Sequence, residues 1–164
     1  MKMKKVIGLI GVVGAVLIGC SQEVTQEPLS FSDLDEPIFT NVSVHDPSVI
    51  KVDDTYYVFG SHLASAKSTD LMNWTQLSTS VKDAGQIFGD ITTQFEEALT
   101  WAQTDTFWAP DVIQLEDGRY YFYYNTCKGD SPRSALGLAV SDQIEGPYED
   151  LGIFLKSGMW NQIS

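Results

Sequence analysis

The sequence predicts an all-β chain containing two blades of a β-propeller, with a short helical insertion between them. Three observations predict it. A hairpin-forming segment occurs twice, each copy is followed by two further strand-like pieces, and only one stretch between the copies breaks the strand pattern. The composition permits such a core: 43% of the 164 residues are apolar and 12% aromatic, which excludes wholesale disorder.

In chain order, Met1 to Lys5 is basic and Val6 to Gly19 is uncharged and apolar. That run is shorter than the about 20 residues a membrane span needs. A basic start followed by a short apolar run reads as an export signal. Its end, Leu17-Ile18-Gly19-Cys20, resembles a bacterial lipobox, which implies that Cys20 is lipidated and becomes the mature N-terminus. We therefore expect a lipoprotein signal over 1–19 and a membrane partner through Cys20, in preference to an ordinary signal peptide. Residues 20–40 are acidic and proline-punctuated and read as a tether. The expected location is the cell surface or periplasmic face, with a freely secreted protein as the alternative.

The first unit, about residues 41–82, opens with His45-Asp46-Pro47-Ser48-Val49, turns at Asp53-Asp54, and continues as the aromatic strand Tyr56 to Phe59. Ala64 to Ser68 and Asp70 to Leu77 supply the next two strands. The insertion, about 83–105, spaces Ile91, Phe95, Ala98 and Leu99 at helical intervals and predicts one short helix. The second unit, about 106–157, repeats the first. Trp108-Ala109-Pro110-Asp111-Val112 leads to a turn at Asp117-Gly118 and the strand Tyr120 to Tyr124. Ala135 to Ser141 and Gly146 to Gly152 follow. β-Branched and aromatic runs closed by tight acidic turns are hairpins, and proline fits a strand's first residue because no ladder donor is lost there. Four antiparallel strands per unit is the form of a propeller blade. A ring closes typically with four to eight blades, so two blades predict that residues 41–164 are the front portion of a longer protein.

Charge narrows the partners. Acids outnumber bases 22 to 10, and Lys2, Lys4 and Lys5 belong to the leader. Such a surface repels phosphate backbones, so no nucleic-acid partner is expected. The two cysteines build no disulfide framework, and Cys127 reads as a small strand hydrophobe.

Aligning the two units selects candidate site residues. Asp46 pairs with Ala109, and His45 pairs with Trp108. Inner strands of propeller blades begin near the central axis, so these positions line the funnel. A fold that accepts alanine at one of them does not require a carboxylate at the other. On the repeat alone, Asp46 serves chemistry or accepts backbone hydrogen bonds at a strand start equally well. Trp108 is either a stacking platform for a sugar or a core tryptophan. Gly129 either lets a backbone approach a ligand or is a plain turn glycine. His45 orients Asp46 or lines the pocket, whereas His62 is expected to support its own strand.

The motifs His45 to Val49, Tyr56 to His62, Phe107 to Val112, Ser134 to Ser141 and Glu145 to Tyr148 together resemble glycoside hydrolase family 43. Within that family the likeness is to the endo-1,5-α-L-arabinanases. The resemblance implies a five-bladed propeller, of which these residues form the N-terminal two blades, and inverting hydrolysis of arabinan or a related plant cell-wall polysaccharide. It places the general base on Asp46 and a loop that meets the substrate at Gly129. An inverting pair holds its carboxyls roughly 6.5–9.5 Å apart, with a water between. The aspartate that tunes the acid, and the glutamate acid itself, belong by the same resemblance to later blades. The chain by itself is therefore expected to be inactive. Glu145 and Asp111 are read as structural. No metal site or cofactor is expected, although the resemblance allows a calcium ion on the propeller axis of the intact protein. Two alternatives remain open: a non-catalytic glycan-binding surface lipoprotein, and a xylosidase or arabinofuranosidase of the same family. Oligomeric state is not read from the sequence.

Overall fold

Two hairpin repeats become two separate sheets. The computed structural model describes residues 42–130 and 133–158, all within one compact unit. The expected export signal, Cys20 and the tether lie outside the described residues. Sheet one takes strands β1 (Ser48–Val52), β2 (Thr55–Phe59), β3 (Ser65–Ser68) and β4 (Thr75–Ser78), hydrogen-bonded in that order and antiparallel throughout. Sheet two repeats the arrangement with β5 (Phe107–Gln114), β6 (Tyr120–Cys127), β7 (Ser134–Ser141) and β8 (Glu149–Lys156). Each meander follows from runs of alternating side chains joined by short turns. In β6 the alternation is complete: Tyr120, Phe122, Tyr124 and Thr126 are buried, while the residues between them are half-buried.

The expected strand starts differ between the repeats. In the first, Pro47 stands just before β1; in the second, Pro110 lies inside β5. The β5–β6 register breaks between Trp108 and Asp111, and Ala109 takes a positive φ of 26°. A bulge there accommodates a residue without an N–H.

The fourth strand of sheet one is shorter than the Asp70 to Leu77 run. The Asp70 carboxylate captures the backbone first, accepting from Met72 N at 2.9 Å, Asn73 N at 2.7 Å and Asn73 Nδ2 at 2.7 Å. A carboxylate that satisfies nearby donors competes with the strand ladder, so β4 begins only at Thr75. The bonds from Asn73 hold the Asp70 carboxyl well below the usual carboxylate range. A depressed folded-state value means that the stabilisation is complete above the unfolded carboxylate pKa of about 4 and is lost as pH falls through the lower folded value. Asp70→Ala should therefore lower Tm near neutral pH, and the gap to the parent should narrow as pH drops from about 5 to about 2. Thermal melts across that range check it; a gap independent of pH would remove the carboxylate from the explanation.

The insertion folds as three short helices where the spacing predicted one: α1 (Gly85–Phe88), α2 (Ile91–Gln94) and α3 (Glu96–Ala102). Asp90 caps α2, its Oδ1 accepting from Thr92 N at 3.0 Å and Thr93 N at 3.4 Å. Phe95 leaves the helical conformation, with φ −108° and ψ 26°. Its ring is fully buried, and that burial accounts for the break. Phe95 meets Tyr124 at 4.9 Å and Phe107 at 5.1 Å between ring centroids. Phe88 meets Phe122 at 4.8 Å and Tyr148 at 5.5 Å, while Phe59 brings sheet one to the same cluster at 5.9 Å from Phe122. The edge-on arrangements are those that aromatic quadrupoles favour. The insertion is thus part of the core. Gly146 seals its contact with the loop after β7: Tyr148 N donates to Ile87 O at 2.7 Å, and a Cβ on Gly146 would stand 2.2 Å from that oxygen.

Candidate active site

The approach to β1 and the turn after β2 cross closely. Ser61 N donates to His45 O at 3.0 Å. A Cβ at the neighbouring Gly60 would lie 2.4 Å from that same oxygen and 2.5 Å from Val44 Cγ1. Only glycine fits such a crossing, and it brings Ser61 under Asp46. Ser61 is 1% exposed. Its hydroxyl donates to Asp46 Oδ2 at 2.8 Å and accepts from Ala109 N at 2.9 Å, using its single donor and one acceptor position. Asp46 and Ala109, aligned by the repeat, are therefore joined through one buried oxygen.

Asp46 itself has φ 51°, in the left-handed region that aspartate tolerates better than most residues. His45 Nδ1 stands 2.9 Å from Oδ2, and the His45 and Asp46 side chains are 60% and 49% exposed. The Ser61 hydrogen bond and the His45 contact both fall on Oδ2; Oδ1 has no hydrogen bond from the described residues. The carboxylate is thus fixed on its inner oxygen while its outer part remains open to solvent.

Three rings continue outward from it. His45 and His62 lie 5.6 Å apart edge-on, and His62 lies 5.3 Å from Trp108. His62 differs from its expected place: it sits between His45 and Trp108. Trp108 is half-buried and donates Nε1 to Cys127 O at 2.8 Å, which fixes the ring at the start of β5. Cys127 is a free, half-buried thiol. Gly129 lies on the exposed loop after β6, with open space where a Cβ would stand. It is on the same sheet edge as Trp108, but no contact joins it to the cluster.

The other carboxylates considered are held elsewhere. Asp111 Oδ1 accepts from Ser48 Oγ at 2.7 Å, and Val112 N donates to the same hydroxyl at 3.2 Å. These two repeat-related positions pin β1 against β5. Glu145 Oε1 accepts from Lys67 Nζ at 2.7 Å and Tyr57 OH at 3.0 Å. Burial first, and then this carboxylate, pushes the Tyr57 phenol up to about 12. Glu145 follows the end of β7, whereas β7 begins beside Cys127; it therefore sits at the opposite sheet edge from Trp108. Among the described residues no three His, Cys, Asp or Glu side chains gather to hold a metal ion. They do not by themselves fit an axial calcium.

Ser61 escaped the sequence reading. The signal was a small hydroxyl following an aromatic strand and a glycine, and nothing in the repeat marks it because its partner Ala109 N is backbone.

The family model for glycosyl hydrolases family 43 matches residues 35–163. The chain belongs to glycosyl hydrolase family 43. Among curated relatives, extracellular endo-α-(1→5)-L-arabinanase 2 of Bacillus subtilis is 62% identical over 124 residues, covering 76% of this chain and 26% of that protein. The extracellular endo-α-(1→5)-L-arabinanase of Thermotoga petrophila is 54% identical over 125 residues, with the same coverage of 76% and 26%. The chain thus spans about a quarter of the length of these relatives. Of solved structures, the family 43 YxiA protein of Bacillus licheniformis superposes with TM-score 0.72 at 66% identity, over 76% of this chain and 28% of that one. A Cellvibrio cellulosa α-L-arabinanase complexed with arabinohexaose superposes with TM-score 0.57 at 27% identity, over 72% and 37%.

Proposed function

We propose that the chain contributes the general-base side of an inverting arabinan hydrolase, and that its two sheets are the first two blades of a five-bladed propeller. One observation carries the reading: an open carboxylate, Asp46, fixed through Ser61 to the backbone of the second sheet and touched by His45, whose ring leads through His62 to Trp108. Names of the relatives support the substrate, since both cited curated proteins are endo-arabinanases.

In this reading Asp46 accepts a proton from a water through Oδ1, while Ser61 and His45 hold Oδ2 still. The hydroxide character developing on that water is directed at the anomeric carbon. The leaving oxygen receives its proton from a carboxylic acid on the opposite side of the bond, at the separation an inverting pair requires. Asp111 and Glu145 are both engaged in fixed contacts and are not assigned that role. The acid and the aspartate that tunes it are assigned to other blades. Trp108 presents an aromatic face to a furanose ring, and the Gly129 loop borders the same edge. The test is a graft in which residues 36–158 replace the matching segment of the Bacillus subtilis relative. The graft should release reducing ends from linear arabinan and not from xylan. Xylan cleavage without arabinan cleavage would overturn the substrate.

We infer in addition that the protein is exported and anchored through Cys20, in keeping with the basic-apolar leader and with relatives named extracellular. Among the described residues no helix is long and apolar enough to cross a membrane. Cells given a fatty-acid analogue should label the parent, and Cys20→Ala should abolish the label. Equal labelling of both would remove the anchor.

A further inference from the structure

A groove lies on the edge of sheet two that carries Trp108. The registers Phe107↔Thr126, Cys127↔Ser134 and Ala135↔Lys156 place the start of β5, the end of β6, the start of β7 and the end of β8 along one edge. Three strand spacings separate β5 from β8, about 14 Å at about 4.8 Å each. At the outer end, α3 and β8 enclose a groove of about 440 Å³ lined by Glu96, Glu97, Thr100, Trp101, Arg133 and Lys156. None of these residues belongs to the Asp46 cluster.

Trp101 is the centre of the groove, and it is held at both ends. Its Nε1 donates to Ser134 O at 3.2 Å, and its carbonyl accepts from Arg133 Nε at 2.8 Å. The Arg133 guanidinium lies 4.6 Å from the ring centroid and Lys156 Nζ lies 5.1 Å from it, both within cation–π range. Lys156 Nζ also meets Glu97 Oε1 at 3.0 Å. Glu96 and Thr100 are four residues apart and share the exposed side of α3. Unlike Phe95, which is fully buried in the core, Trp101 is only half-buried.

Two acids and two bases balance in this lining, although the chain carries a net charge of −12. A phosphate or other anion would meet Glu96 and Glu97, and a cation would meet Arg133 and Lys156. A neutral ligand meets neither penalty. The lining offers hydroxyl, carboxylate, guanidinium and ammonium groups that hydrogen-bond vicinal hydroxyls, and only the exposed part of the Trp101 ring that Arg133 and Lys156 leave uncovered meets an apolar C–H face.

We propose that this groove is a second carbohydrate site, which holds a neutral stretch of polysaccharide remote from the linkage cut at Asp46. Its identity as arabinan rests on the function proposed above. A polymer running along the strand ends passes from Trp108, across the loop carrying Gly129, to Trp101. Short oligosaccharides that reach only one of the two positions gain nothing from the other.

Affinity electrophoresis of the full 164-residue chain in gels containing linear arabinan, xylan or no polysaccharide tests the site. Arabinan should retard the parent chain. Trp101→Ala should raise the dissociation constant about tenfold or more, a change of about 1.4 kcal/mol or more, whereas Trp108→Ala keeps the contribution of the groove. Glu96→Ala and Thr100→Ala, both exposed changes, should each weaken retardation several-fold with an unchanged far-ultraviolet spectrum, so the test does not depend on Trp101→Ala folding. Retardation by arabinan as strong in Trp101→Ala, Glu96→Ala and Thr100→Ala as in the parent overturns the groove and leaves the arabinan reading standing. Retardation by xylan alone, weakened in those variants, keeps the groove as a sugar site and overturns arabinan. A parent chain retarded by neither polysaccharide overturns the proposal.

Discussion

Asp46→Asn in the arabinanase graft should lower kcat on linear arabinan by about 10²–10⁴-fold, the usual worth of a general base, with KM changed little. Asparagine keeps the shape and still accepts from Ser61 through its carbonyl oxygen, but it cannot take the proton from water. The lost interaction belongs to the transition state, so the loss falls on kcat and kcat/KM alike. Glu145→Gln is the matched control. Glu145 bonds to Lys67 and Tyr57 at the far sheet edge, and its substitution should leave kcat nearly untouched. Michaelis kinetics on both variants settle the comparison. A silent Asp46→Asn beside an inactive Glu145→Gln would reverse the assignment.

Phe88→Ala should produce the largest loss of stability, about 3–5 kcal/mol for removing a buried phenylalanine ring. Domains are stable by about 5–15 kcal/mol, so this substitution consumes much of the total. The ring is fully buried and lies 4.8 Å from Phe122, 5.5 Å from Tyr148 and 5.8 Å from Phe95, three rings that are themselves fully buried and close poorly over the gap. Gln86 is on the same short helix but exposed. Gln86→Ala should stay within about 0.5 kcal/mol. Urea midpoints of the graft carrying each change measure the difference. Equal midpoints would mean that the insertion only decorates the sheets.

The strands were legible because alternation and turn chemistry are local. Tyr120 to Tyr124 announces a strand, which the structure extends to Cys127, and Asp117-Gly118 announces the turn before it. The repeat carried information further. It aligned Asp46 with Ala109 and Ser48 with Asp111, and in the structure the first pair is joined through Ser61 and the second by a direct hydrogen bond. What the sequence hid was long-range. Phe95 carries a helical spacing, yet the pull of its ring into the core divides the helix into two. Asp70 looked like the start of a strand because its capture of Met72 and Asn73 is a side-chain effect with no period. Ser61 was hidden for a third reason. One of its two partners is a backbone N–H in the other sheet, and no residue type at position 109 reports that bond. His62 gives no sign of its place between His45 and Trp108, because ring contacts across sheets leave no mark in spacing.

Azide rescue tests the central claim most directly. Asp46→Ala in the graft removes the proposed base and leaves space beside the anomeric carbon. Azide is a nucleophile that needs no deprotonation: its nitrogen forms the new bond to that carbon as the glycosidic C–O bond breaks, and the leaving oxygen takes its proton from the acid. Turnover of linear arabinan by Asp46→Ala should rise with azide concentration, and the product should be an arabinofuranosyl azide of β configuration, identified by nuclear magnetic resonance. Absence of rescue, or an azide product that retains the α configuration, would contradict Asp46 as the base of an inverting displacement.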